Sequence, residues 1–199
     1  MMGVALVALA AQHPPGSAKF VLFESAPPES AERAFLERIH GIKLAKPGDL
    51  HEVLQNLAGS DGPAYLFIQG LQNFKKLRME DEYAISGDES SPAALFQKII
   101  TDGPTRGVHV IASVDNHNNV VRFLGRKMLS EFEMRVLFQM SANDSASLCD
   151  DPKASTLGLH RALFYNEQEG HLETFRPYAL PESGWIEEAI TNLGRLQTA

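Results

Sequence analysis

The stretch "HVIASVDNHNNVVRFLGRKMLSEFEMRVLFQMSANDS", residues 109–145, carries two apolar runs, "HVIAS" and "EMRVLFQMS". Between them lies a polar, Asn-rich and then basic interval. Runs this short, without strict alternation and bounded by turn residues, read as strands buried on both faces. Such strands belong to parallel sheets, whose neighbours need a helical crossover of a dozen or so residues. The interval is long enough for one. The expectation is that the two strands lie side by side, with "VDNHNNVVRFLGRK" crossing over their carboxyl end.

The same grammar extends outward. "KFVLFE" (Lys19 to Glu24), "IKLA" and Ala64 to Ile68 of "DGPAYLFIQG" are further strands. Helices stand between them: "PPESAERAFLERI", with Ser30 placed to cap its first turn, and "KPGDLHEVLQNLAG", opening near Pro47 and Asp49 and closing at Gly59. "MMGVALVALAAQ" resembles a secretion leader in its apolar, small-residue content but lacks the basic start of one. The alternative is a helix apolar on all sides and buried in a domain. From Leu71 to Ser91 the chain turns polar and reads as a frayed helix and a surface loop. "SPAALFQKIITDG" is an amphipathic helix with Pro92 early in it. "HRALFYNEQEGHLETFRPY" is a hairpin turning near Glu169 and Gly170, and "ESGWIEEAITNLGRL" a closing helix. Strands separated by helices predict an α/β fold, a mainly parallel sheet with helices on both faces.

The totals fit one domain of 199 residues, with 44% hydrophobic and 22% charged content and no composition break. No apolar run approaches a membrane span. A formal charge of −7 and a pI near 5.5 confine any nucleic-acid contact to a local patch. The single cysteine, Cys149, excludes an internal disulfide framework and fits a reducing, cytoplasmic compartment.

Ligands of such sheets sit beyond the carboxyl ends of the strands. The residues to search are therefore Glu24 to Ala26, Gln69 to Leu71, Ser113 to Asn116 and Ser141 to Asp144. Other chemistry is weakly supported. The seven histidines show no metal-ligand spacing, and "HEVLQ" at His51 lacks a second histidine. Ser141, Asp144 and His109 have no nucleophile elbow to make a hydrolase triad. "NDS" at Asn143 reads as the cap of a helix "DSASLCD". "VVRFLGRK" sets Arg122 and Arg126 four apart on one helical face beside Lys127, either a solvated face or a local contact for DNA phosphate.

The order "GVALVALAAQHPPGSAKFVLFE", "AYLFIQG", "RGVHVIAS", "EMRVLFQMSANDSASLCDDPKASTLGLHRALFY" resembles the motor domain of the FtsK/SpoIIIE DNA translocases, from about Gly3 to Tyr165. These are RecA-like P-loop ATPases that form rings around duplex DNA. The resemblance implies a RecA-like fold with ATP and Mg²⁺ held by a GxxxxGK[ST] loop. That string does not occur in the sequence. The resemblance places it immediately before Met1, so either the sequence starts downstream of it or the domain lacks the loop and the strand before it. It also implies two acids at the end of the third strand, one holding Mg²⁺ through water and one orienting the attacking water. Gln69 and Gly70 stand there, and Glu80 and Asp81 lie too far along to replace them. Where the family carries a Thr-Gln pair that senses the γ-phosphate, this chain has Ser113 and Val114.

Expected nucleotide contacts are thus Glu24, Gln69 and Ser113, and expected DNA contacts are Arg122, Arg126 and Lys127. Arg135, at a position also basic in the family, has a structural or inter-subunit role. Two functions follow. One is a catalytically degenerate domain, a regulatory or scaffolding module of a larger ATPase assembly. It needs no cofactor of its own and partners itself or other ring subunits. The other is a fragment of a working DNA translocase, using ATP and Mg²⁺ through an upstream loop. Neither inserts in a membrane.

Overall fold

The computed structural model describes residues 2–14, 16–24, 29, 31–39, 41–78, 89–179 and 182–196. The expected cap at Ser30, the strand-end residues Ser25 and Ala26, and the acids Glu80 and Asp81 lie outside the described residues. Contacts divide the chain into two compact units, Met1–Met128 with Leu180–Ala199, and Leu129–Ala179.

The first unit is built on a four-stranded parallel sheet. Its strands are β1 (Lys19–Phe23), β2 (Ile42–Ala45), β3 (Ala64–Ile68) and β4 (Val108–Ala112), in the order β2-β1-β3-β4. The helices are α1 (Met2–Ala10), α2 (Ala31–Leu36), α3 (Leu50–Ala58) and α4 (Pro92–Asp102). Alternate strand residues explain the two covered faces. Phe20, Leu22 and Phe67 pack with Leu6 and Val7 of α1 and with Phe35, Leu36 and Ile39. Their neighbours Val21, Phe23, Leu66 and Ile68 turn to the opposite face and are equally buried. There α3 and α4 bring the stripes Leu50, Val53, Leu54, Leu57 and Leu95, Phe96, Ile99, Ile100.

Local chemistry fixes the helix ends. Ser91 Oγ accepts from the N–H of Ala94 at 3.2 Å, with Pro92 as the first helical residue of α4. Arg106 donates to the carbonyls of Ala58 and Ser60, both at 2.9 Å, satisfying acceptors left over at the end of α3. After β3 the expected frayed helix is instead two short 3-10 turns, Leu71–Asn73 and Lys75–Leu77. Gly70 enters them in the left-handed region, and Phe74 between them is non-helical (φ −100°, ψ 71°).

Helix α5 (His117–Ser130) follows β4 as the crossover interval predicts, but Gly125 breaks it with φ 57° and ψ −175°. Arg122 and Arg126 therefore flank a kink and do not share one continuous helical face.

In the second unit β5 (Met134–Leu137), β6 (Ala162–Asn166) and β7 (His171–Phe175) form an antiparallel sheet, with α6 (Ala142–Cys149) following β5. The terminal hairpin is thus where the sequence places it, and α7 (Ser183–Leu196) is the closing helix. The expected pairing of "HVIAS" with "EMRVLFQMS" is not. Among the described residues β5 pairs with β6, and β4 pairs with β3 alone. A run apolar on both faces imitates a central parallel strand, while its hydrogen-bonding partner is a hairpin thirty residues on. The cap of α6 also differs: Ser141 Oγ accepts from the N–H of Asp144 at 3.1 Å, and Asn143 lies inside the helix.

Candidate functional site

Because the strands of the first sheet are parallel, their carboxyl ends share one edge. The register aligns Phe23 with Ala45 and Ile68, and Ile68 with Ala112. One residue further, Lys46, Glu24, Gln69 and Ser113 stand in a row across the sheet. The ladder continues into this row: the N–H of Gln69 donates to the carbonyl of Phe23 at 2.8 Å, and that of Ser113 to the carbonyl of Ile68 at 3.0 Å. The expected nucleotide contacts Glu24, Gln69 and Ser113 are therefore neighbours, although they are far apart in sequence.

Each brings different chemistry. Glu24 is a buried carboxylate, 9% exposed. Gln69 is half-buried and offers a neutral amide, which can hydrogen-bond a phosphate or a metal-bound water but adds no negative field. Gly70 offers nothing beyond its backbone. It takes φ 73° and ψ 62°, and the chain turns there. Ser113 holds that turn. Its hydroxyl oxygen accepts from the N–H of Gly70 and its carbonyl from the N–H of Leu71, both at 2.9 Å. Leu71, Phe74 and Leu77 are then carried into the core, 0%, 6% and 0% exposed. Val114 is half-buried and apolar. Lys46 completes the row with an exposed cation that sequence reasoning did not include; only the register reveals it.

The other candidates scatter by contrast. Arg122, Arg126 and Lys127 are exposed. Arg135 is spent inside the second unit: its guanidinium donates to the carbonyls of Phe132 (2.9 Å), Leu148 (2.7 Å) and Leu129 (3.1 Å) and pairs with Glu167. It also lies 5.6 Å from the centre of the Tyr165 ring, its cross-strand neighbour. Burial and the carboxylate of Glu167 raise the pKa of Tyr165. Ser141 and Asp144 meet as a helix cap, and His109 stacks on Tyr65 with ring centres 5.6 Å apart. Among the described residues no group of three or more His, Cys, Asp or Glu is placed to hold a metal ion, and no helix is long and apolar enough to cross a membrane.

No family model and no curated protein matches the chain. Solved structures do match. EssC ATPases 2 and 3 from Geobacillus thermodenitrificans superpose with a TM-score of 0.63 at 10% identity, over 99% of this chain and 41% of that one. The genome packaging NTPase B204 from Sulfolobus turreted icosahedral virus 2, in complex with ATP-gammaS, gives 0.55 at 10% identity, over 87% of each chain. B204 described as the DNA-packaging ATPase from Sulfolobus Turreted Icosahedral Virus gives 0.57 at 11% identity, over 89% of this chain and 93% of that one. The likeness is one of fold. The chain has the α/β architecture of these structures and spans about two fifths of the EssC chain.

Proposed function

We propose that this chain is a catalytically degenerate ATPase-fold module of the FtsK/SpoIIIE type, a regulatory or scaffolding part of a larger, cytoplasmic ATPase assembly. The carrying observation is the end of β3, where Gln69 and a left-handed Gly70 occupy the place at which the family resemblance expects two acids. Phosphoryl transfer is almost entirely positioning and charge stabilisation around Mg²⁺ and the attacking water. An amide and a bare backbone supply neither. Were ATP and Mg²⁺ bound, Gln69 and Ser113 would be the residues of the row facing phosphate.

A second reading, a piece of a working DNA translocase, is favoured by Glu24, a carboxylate one strand away from Gln69 in the same row. It requires duplex DNA as partner, with Arg122, Arg126 and Lys127 as phosphate contacts. A salt titration of duplex binding separates the two. The module reading predicts weak binding that does not change when these three residues are neutralised. Affinity falling steeply with salt, with a slope reduced by about one for each of the three removed, would establish the translocase reading instead.

A further inference from the structure

The ladder between β6 and β7 ends at the pair Ala162 and Phe175, and one step further the register sets Arg161 directly across from Arg176. Like charges opposite each other on neighbouring strands work against a sheet. Nothing in the second unit offsets this pair. Both arginines are exposed, and among the described residues neither has a hydrogen bond or an ion pair. Glu173 of β7 is hydrogen-bonded to His171 at 3.2 Å, and Glu167, at the turn of the hairpin, pairs with Arg135. Two guanidiniums are thus held across from each other at one end of the sheet, with their donors open to an outside acceptor.

The same end of the sheet shows apolar side chains to water. Leu159, two residues before Arg161, is 84% exposed, and Tyr178, two residues after Arg176, is 83% exposed. Phe138 continues β5 to a place beside Ala162 and is 48% exposed. Between Leu159 and Arg161, His160 takes φ 58°, a conformation uncommon outside glycine that the surrounding fold must impose. Single exposed hydrophobics are ordinary, but three of them around two arginines without partners mark a contact surface.

We propose that this end of the second unit docks a short acidic segment of another protein, its carboxylates clamped by Arg161 and Arg176 and its apolar side chains laid on Leu159, Tyr178 and Phe138. Charge complementarity selects the partner, because guanidinium and carboxylate match as two-pronged hydrogen-bonding groups. Arginine and tyrosine are also the residues that carry most of the energy in protein contacts. Nucleic acid fits less well. Its affinity draws on roughly six to ten phosphate contacts. A pair of arginines supplies few of them, and a net charge of −7 repels a polyanion at long range. The docking surface stands on these residues alone, whatever the strand-end row binds.

A displayed library of random short peptides, selected in parallel on the full chain and on Arg161→Glu/Arg176→Glu, tests this. Peptides enriched on the wild type should combine Asp or Glu with apolar residues, and the charge-reversed variant should not enrich them. The most enriched peptide, carrying a fluorophore, should bind the wild type in anisotropy titrations up to about 200 µM, within reach of a weak contact. Charge reversal should weaken it by at least about tenfold, and Tyr178→Ser should weaken it with its salt dependence unchanged. Arg161→Glu alone turns a like pair into an opposite pair, so its urea midpoint should be no lower than that of the wild type. If the double variant does not fold, Arg161→Gln/Arg176→Gln takes its place. The proposal is overturned by enrichment that ignores acidic residues or proceeds equally on the variant, by no enrichment at all, or by a lower midpoint for Arg161→Glu. It is overturned as well if a single-stranded or duplex oligonucleotide binds through the same two arginines more tightly than the peptide.

Discussion

At Gly70 the backbone itself resists repair of the strand-end row. A non-glycine residue at φ 73° and ψ 62° costs about 1–2 kcal/mol. Gly70→Glu, which returns an acid, should therefore lower unfolding stability by that amount in urea, whereas Gln69→Asp leaves the turn intact. Gly103 is constrained differently. A Cβ there would meet the carbonyl oxygens of Ile99 and Val108 at 2.1 and 2.7 Å, and both are backbone atoms. Gly103→Ala should cost about 1–3 kcal/mol by overpacking, read from the same denaturation curves. Arg135 is the third such position. Arg135→Met leaves the carbonyls of Leu129, Phe132 and Leu148 and the carboxylate of Glu167 without their donor. A loss of about 2–3 kcal/mol is expected. Arg135→Lys should not restore it, because an ammonium lacks the fork that spans these acceptors. The sequence shows an arginine at the head of a strand. That its guanidinium folds back onto three turns of its own unit depends on a hairpin partner, which no local pattern encodes.

Within the first unit, α7 is tied to the segment after α2 by a bidentate pair. Arg38 donates to both carboxylate oxygens of Glu187 at 2.6 and 2.5 Å. The hydrogen bonds from Arg38, aided by its charge, hold the Glu187 carboxyl below the ordinary glutamate range. A depressed carboxyl contributes stability above its unfolded pKa of about 4.3 and loses it as pH falls through the lower folded value. Hydrogen exchange of α7 should accordingly rise as pH is lowered below about 4.3, beyond the intrinsic pH dependence of exchange. Glu187→Gln should flatten that excess. Both side chains are about half exposed, so the effect should be small and diminish with salt. Element boundaries were most legible where turn residues bracket a run, as for Ala64–Ile68 between Pro63 and Gln69. β5 was misplaced for the reason that makes its outer face unusual: Met134, Val136 and Phe138 are apolar without being covered, and periodicity cannot tell an open apolar face from a buried one. The kink at Gly125 was hidden in the same way, since a glycine inside a helical pattern announces neither its sign of φ nor a break.

For the molecule as a whole, the parallel sheet was readable because its central strands, β1 and β3, are buried on both faces and each strand is separated from the next by a helix or a long crossover. The row Lys46, Glu24, Gln69 and Ser113 was readable only in part. Strand ends point to the right residues, but their order across the sheet follows from β1 standing between β2 and β3, which sequence order does not give. The central claim is that this row cannot run hydrolysis. The most direct test is ATP turnover by the purified chain with Mg²⁺, alongside Glu24→Gln. The account predicts turnover no faster than buffer for both proteins. Turnover that co-elutes with the chain through a further column and is abolished by Glu24→Gln would contradict it, because the row would then contain a working carboxylate.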